Sequence, residues 1–256
     1  MTRIPVRPGW LTARPIAHRG FHRKAEGVIE NTPTAARDAI ARGYAIECDV
    51  QLTKDGEAVV FHDFTLDRLM QEEGKLADRT AAELAAVAYQ ACGDRILPLA
   101  DFLALIAART PLVCEIKSAF DGDMRLTERT AQVAAAYDGP VALKSFDPDI
   151  VAHLNREGAR LGVAGRPLGI VAEARYDHPE WSAIPAEKRR DMAGLLHWRD
   201  TEPDFVSYHV NDLPNAASFF PRLLGAPVMT WTVRTPVQVE AARKYADQMV
   251  FEGFAA

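Results

Sequence analysis

Cysteine is scarce in this chain. Of 256 residues only three are cysteine, Cys48, Cys92 and Cys114, and no CxxC spacing occurs. An odd number without paired spacing argues against a disulfide framework and against a thiolate zinc cluster. Cys48 and Cys114 sit inside apolar, strand-like runs and read as small core residues. Long apolar runs are also missing: nothing approaches the ~18 residues of a membrane span. The opening residues, MTRIPVRPGWLTARPIAHRG, hold no stretch like the apolar segment, about 7–15 residues long, of a signal peptide. Stable membrane insertion is not expected, and a cytoplasmic location is. Positive charge is not in excess. Lys and Arg number 30 against 35 Asp and Glu, a formal net charge of −5, so the basic footprint of a nucleic-acid-binding domain is absent. Internal repeats and low-complexity tracts are absent too. Scattered exposed apolar residues specify no oligomeric state.

What is present is ordinary globular composition, 48% hydrophobic and 25% charged, over a length that suits one large domain, residues 1–256. Strand-like runs fall near 15–19, 45–51, 112–117, 141–145, 168–172, 204–209, 227–233 and 248–252. Helical patterns fall near 33–42, 99–109, 125–137, 148–157, 187–197, 214–222 and 236–246. This alternation predicts βα units around a parallel sheet, and eight strands suit closure into a TIM (β/α)8 barrel. Thr32-Pro33, Asp147-Pro148 and Thr235-Pro236 each place a cap residue before a proline at the first helical position. Gly43 and Gly158 stand where the first and fourth helices should end. An eighth outer helix is lacking, and segment 1–14 is a candidate to cover the gap. Thr53-Lys54-Asp55-Gly56 reads as a turn before a short run, 58–61, which is either a hairpin partner of the second strand or a barrel strand itself. Residues 64–97, with a helical pattern at 80–87, read as a small insertion above the barrel. Segment 173–186 is a second long irregular connection.

Alternate residues of a barrel strand point inward and outward, and the outward ones pack on helices. In the second strand Ile46, Cys48 and Val50 share one face, and Glu47, Asp49 and Gln51 the other. In the strand 112–117, Leu112, Cys114 and Ile116 oppose Val113, Glu115 and Lys117. Three carboxylates and one lysine are thereby aimed at the interior or its mouth. Buried charges are normally paired or coordinate a metal, and Lys117 offsets only one of the three. The plain alternative is an edge strand with one solvated face. A hard divalent cation on Glu47, Asp49 and Glu115 resolves the imbalance, and an all-oxygen set favours Mg²⁺, Ca²⁺ or Mn²⁺ over zinc.

His18 ends the first strand and His62 ends the run 58–61, positions where barrels place chemistry. Imidazole titrates near neutral pH, so such a pair suits general acid and base. Arg19 and Lys117 suit the charge neutralisation that phosphoryl transfer demands. His153, His178 and His197 read as surface residues. His22 and His209, near strand ends, are assigned to structure rather than chemistry. Trp231, near the end of the seventh strand, is either an apolar wall of the pocket or simple core packing.

His18-Arg19-Gly20, Glu30-Asn31-Thr32, Glu47-Cys48-Asp49-Val50, Thr53-Lys54-Asp55-Gly56, and His62-Asp63 with Leu66-Asp67-Arg68 follow one another within about fifty residues. Looser matches continue through 76–87, Ile96-Leu97-Pro98-Leu99, Glu115-Ile116-Lys117, Ser145-Phe146 and Trp231-Thr232-Val233. In this order and spacing the sequence resembles the glycerophosphodiester phosphodiesterase family. The resemblance implies a TIM barrel with a small insertion and one divalent cation held by Glu47, Asp49 and Glu115. It implies His18 and His62 as acid–base pair, with Arg19 and Lys117 on the substrate phosphate. The reaction implied is hydrolysis of a small glycerophosphodiester to sn-glycerol 3-phosphate and an alcohol such as choline, ethanolamine or glycerol. The chain departs from the family after its last strand: Phe251-Glu252-Gly253-Phe254 replaces a turn that contains Asp in many relatives. Two related readings are a phospholipase-D-like lyase releasing a cyclic phosphate and a non-catalytic glycerophosphodiester-binding barrel. A phosphate-handling isomerase barrel would carry a glycine-rich loop near the last strands, which Thr230-Trp231-Thr232-Val233-Arg234 does not provide.

Overall fold

The strand-forming runs are short and rich in branched residues, and the computed structural model, which describes residues 5–256, closes eight of them into a parallel barrel. β1 (Ile16–Ala17) pairs with β2 (Ala45–Leu52), and β3 (Ala58–Val60) lies outside the barrel as the antiparallel hairpin partner of β2. β4 (Leu112–Ile116), β5 (Val141–Ser145), β6 (Leu168–Ala172), β7 (Phe205–His209), β8 (Val228–Val233) and β9 (Gln248–Phe251) follow in spatial order, and β9 returns to β1. Of the two readings of 58–61, the hairpin holds. Its turn is built by Thr53, whose hydroxyl donates to Asp55 Oδ1 at 2.6 Å and accepts from the Glu57 amide at 2.8 Å.

The outer layer comprises α1 (Pro33–Ala41), α3 (Leu99–Ile106), α4 (Arg125–Ala135), α5 (Pro148–Leu161), α6 (Ala186–Gly194), the short α7 (Trp198–Thr201), α8 (Ala216–Leu223) and α9 (Pro236–Tyr245), while α2 (Ala81–Ala86) belongs to the stretch 64–97. Thr32, Asp147 and Thr235 cap α1, α5 and α9 as expected, each accepting a backbone amide at 3.1–3.3 Å before a proline at the helix start. α5 does not stop at Gly158. It runs to Leu161 and ends on Gly162, whose φ is 76°. Gly158 is buried within the helix, where an added Cβ would lie 3.5 Å from Ala164, so it serves helix packing rather than termination.

Period-two alternation separates two apolar layers. Cys48, Val50, Cys114 and Ile116 face outward and pack with the helices. Ile16, Ala45, Val113, Ala142, Phe205, Met229 and Val250 fill the lower barrel, joined by Leu11 from the 3₁₀ turn Gly9–Leu11. The Phe205 ring takes the space a side chain at residue 169 would fill: a Cβ on Gly169 would lie 2.3 Å from it. Residues 1–4 lie outside the described part. Of the remainder of segment 1–14, Leu11 and Trp10 pack into the barrel floor rather than over the outer face of β9. The outer face of β9 is covered by Phe21, Tyr44 and Phe254 clustered on Phe251, with centroids 4.9–6.3 Å apart.

The stretch 64–97 holds a cluster of its own. Leu66, Leu69, Met70, Leu76, Leu84, Val87, Tyr89 and Ile96 bury Val59 and Phe61 of the hairpin, which seats His62 at the barrel rim.

Candidate active site

Strand register brings the charges together. Asp49 on β2 is the direct neighbour of Glu115 on β4, and Glu115 is the neighbour of Lys144 on β5. Glu47 lies two residues below Asp49 on the same face. Glu47, Asp49 and Glu115 are all nearly inaccessible, and each offers a carboxylate oxygen within 4.8 Å of the others. The interior direction expected for these side chains is thus the one observed, and none of them belongs to a solvated edge strand.

The charge count, however, needs correction. Lys117 Nζ bridges Asp49 Oδ1 at 2.9 Å and Glu115 Oε1 at 2.7 Å. Lys144 Nζ, which sequence reasoning overlooked, bridges Glu47 Oε1 at 3.0 Å and Glu115 Oε2 at 3.1 Å. Arg19 adds a third cation, its Nε 3.3 Å from Asp49 Oδ2. Three carboxylates therefore meet three cations. Although burial pushes the carboxyl of Glu115 up, Lys117 and Lys144 hold it down at about 2; Asp49 is likewise held well below its ordinary value against burial, chiefly by Lys117. The case for a metal rests on convergence of hard oxygen donors, not on unbalanced charge.

Arg19 is aimed by a strained turn. Arg19 and Gly20 have φ of 54° and 78°, conformations that cost energy for a residue with a Cβ. Gly20 is also pinned sterically, since a Cβ there would lie 2.8 Å from Ala35 Cβ. The turn sends the Arg19 guanidinium to Glu30 (2.6 Å) and Asp49, while the Arg19 amide donates to Glu47 Oε2 at 3.1 Å. Asn31 donates to Asp49 Oδ2 at 2.9 Å. Arg68 forks onto Glu30 and Asp63 at 2.6–3.0 Å. Burial raises the Glu30 carboxyl, but Arg68 and Arg19 together bring it to about 2.

Each histidine is backed by a carboxylate. His18 Nδ1 lies 2.6 Å from Glu252 Oε2, and His62 Nδ1 lies 2.7 Å from Asp63 Oδ1. Contact at Nδ1 directs Nε2 as the working nitrogen of each ring. Glu252 also receives His22 Nε2 at 3.3 Å and Arg234 Nε at 2.6 Å; against burial, His18 and His22 hold its carboxyl far below the ordinary range. His18, Arg19, Asp49, His62, Glu115, Lys117, Lys144 and Trp231 line one cavity of about 630 Å³ at the C-terminal mouth of the barrel.

Residues 18–253 match the glycerophosphoryl diester phosphodiesterase family. The chain belongs to this family. A glycerophosphodiester phosphodiesterase of Caldanaerobacter subterraneus subsp. tengcongensis is 42% identical over 111 residues, 40% of this chain and 44% of that protein. Glycerophosphodiester phosphodiesterase 1 of Bos taurus is 41% identical over 88 residues, 32% of this chain and 26% of that protein. The matches thus span less than half the length of these curated relatives. Among solved structures, an Oleispira antarctica phosphodiesterase in complex with the product sn-glycerol-3-phosphate superposes with a TM-score of 0.74 at 20% identity, covering 93% of this chain and 91% of that one. A Thermotoga maritima glycerophosphodiester phosphodiesterase gives 0.68 at 21%, with 92% of each covered. Both share the TIM-barrel fold.

In this member of the glycerophosphoryl diester phosphodiesterase family the far side of the cavity is aromatic. Phe120, Phe146, Trp181, Ile184 and Trp231 line it. Phe146 sits 5.0 Å from Trp181 and 5.4 Å from Trp231 between ring centroids. Trp231 both lines the wall and packs: its Nε1 donates to the Ser207 carbonyl at 3.0 Å, and the His209 ring lies tilted against it, centroids 5.0 Å apart. Trp181 and Tyr176 come from the connection 173–186, where two large aromatic side chains in a long irregular loop are the available signal. Glu173 borders this side, and burial pushes its carboxyl up to about 7. Of the three histidines read as surface residues, only His178 is exposed. His153 packs beside Glu128 at 3.2 Å, and His197 is half-buried against Thr201, its imidazole pushed down to about 4 by burial. Among the described residues no helix is long and apolar enough to cross a membrane.

Proposed function

We propose that the chain hydrolyses glycerophosphodiesters to sn-glycerol 3-phosphate and an alcohol, with one divalent cation held by Glu47, Asp49 and Glu115 and with His18 and His62 as the acid–base pair. One observation carries the reading. Two imidazoles, each backed by a carboxylate, open onto the same cavity as a buried cluster of three carboxylates. The donor set is all carboxylate oxygen, which suits Mg²⁺, Ca²⁺ or Mn²⁺. When bound, the ion supplies positive charge for the phosphate oxygens.

The rest falls to the side chains. Arg19 and Lys117, on the cavity wall, bind and orient the phosphate. One imidazole takes a proton from the attacking hydroxyl, either water or the glycerol 2-hydroxyl. As the new O–P bond forms and the bond to the alcohol breaks, the other imidazole protonates the departing oxygen; where the 2-hydroxyl attacks, the product is a cyclic phosphate, which water then opens at phosphorus with the ring oxygen taking up the proton to give sn-glycerol 3-phosphate. Glu252 and Asp63 keep the proton on Nδ1 of each ring, and thus Nε2 free for transfer. The alcohol lies towards Trp231, Phe146 and Trp181, an apolar wall that excludes water. The supporting experiment is a coupled glycerol 3-phosphate assay on glycerophosphocholine, glycerophosphoethanolamine and glycerophosphoglycerol, with EDTA and metal add-back. Turnover lost to EDTA and restored by one of these ions supports the reading, and turnover that survives complete chelation removes the ion from it. Phosphorus NMR separates hydrolysis from a lyase, which would leave a cyclic phosphate as end product.

A further inference from the structure

All six oxygens of the three carboxylates already have a nitrogen donor. Glu47 uses Lys144 and the Arg19 amide. Asp49 uses Lys117 on one oxygen and Asn31 on the other, beside which Arg19 Nε stands 3.3 Å away as an ion-pair partner. Glu115 uses Lys117 and Lys144. The two lysines differ in freedom. The Lys117 side chain is 14% exposed at the cavity wall, so it can turn towards a phosphate. The Lys144 side chain is 3% exposed, on β5 beside Glu115, and a divalent ion must share Glu47 and Glu115 with it.

We infer that Lys144 is a built-in competitor of the divalent cation, whose ammonium occupies Glu47 and Glu115 and keeps the ion loosely held. The inference rests on the reading of these carboxylates as the cation site. Two positive centres drawn to the same oxygens in a water-poor interior repel each other strongly. The same ammonium keeps the carboxylates converged and offset when no ion is present, since removing one partner of a buried pair leaves an uncompensated charge. Lys144 therefore exchanges ion affinity for a cluster that stands assembled without the ion. Entry of an anionic phosphate beside Lys117 then tightens the ion.

The test is calorimetric titration of MnCl₂ into chelator-treated wild-type protein, Lys144→Met and Lys144→Arg, with thermal unfolding recorded with and without Mn²⁺. Lys144→Met is expected to bind Mn²⁺ at least tenfold more tightly than wild type, to be less stable without the ion, and to gain more in Tm from it. Lys144→Arg keeps the charge and should bind no more tightly than wild type. If Lys144→Met does not fold even with Mn²⁺, Lys144→Gln replaces it under the same criterion. A neutral variant binding no more tightly than wild type overturns the role of Lys144 while leaving the cation site intact. Absence of Mn²⁺ binding in wild type and neutral variant alike at millimolar concentration overturns the cation site itself.

Discussion

Replacing Glu252 by Gln isolates the orientation of His18 from nearly everything else. The two side chains have the same length, so the packing around residue 252 is retained. The lost feature is the charge behind a 2.6 Å contact to His18 Nδ1. Hydrogen bonds to charged groups contribute roughly 1.5–3 kcal/mol, and 1.36 kcal/mol is tenfold in rate. Glu252→Gln should therefore lower kcat by about 10- to 150-fold. Glu252 does not line the cavity, so KM should change by less than about threefold. The third partner, Arg234, is 51% exposed, and exposed ion pairs contribute little to stability, so any fall in Tm comes from the more buried contacts to His18 and His22. The coupled glycerol 3-phosphate assay with wild type, Glu252→Gln and Glu252→Asp gives kcat and KM separately. A kcat within threefold of wild type, or a loss entirely in KM, would refute the idea that Glu252 aims the imidazole.

His18→Ala and His62→Ala should each reduce kcat by ~10²–10⁴ with little change in Tm, and near wild-type turnover in both would end the acid–base assignment. Gly20→Ala should destabilise the fold by about 2–5 kcal/mol, through strain at a φ of 78° and a Cβ 2.8 Å from Ala35; an unchanged urea midpoint contradicts this. The folded-state pKa of Glu30 is depressed from 4.5 to about 2. Its contribution to stability is therefore complete above about pH 4.5 and lost as the pH falls through 2, and amounts to at most about 3 kcal/mol. In acid unfolding series, Glu30→Gln should flatten the rise in stability between those pH values, and parallel curves for variant and wild type would count against the Arg19–Glu30–Arg68 network.

Much of the site was legible because barrel strands obey a strict period of two. Glu47, Asp49 and Glu115 stood out as carboxylates on faces that alternate with Ile46, Cys48, Cys114 and Ile116. The same rule applied to Val141–Ser145 puts Lys144 on the inward face with Ala142, but the apolar run Val141-Ala142-Leu143 before it masks the charge. Glu252 is a different case. It lies beyond the last strand and 234 residues from its partner His18, and no local pattern encodes so distant a contact. Glu30 and Arg68 were visible as motif letters, but their work of tying Arg19 to Asp63 depends on the turn at Arg19-Gly20 and on the packing of 64–97. The end of α5 was misplaced because Gly158 and Gly162 are both plausible stops, and only burial of Gly158 against Ala164 decides between them. Leu11 was unreadable as a barrel plug because the floor of a closed sheet is formed by residues scattered over the whole chain.

The most direct measurement is the anomalous scattering of crystals soaked in MnCl₂, collected with and without sn-glycerol 3-phosphate. One manganese peak about 2.0–2.6 Å from oxygens of Glu47, Asp49 and Glu115, with the phosphate between it and the rings of His18 and His62, is the predicted result. A cavity without manganese at millimolar soaks, or a peak held by other residues, would contradict the account.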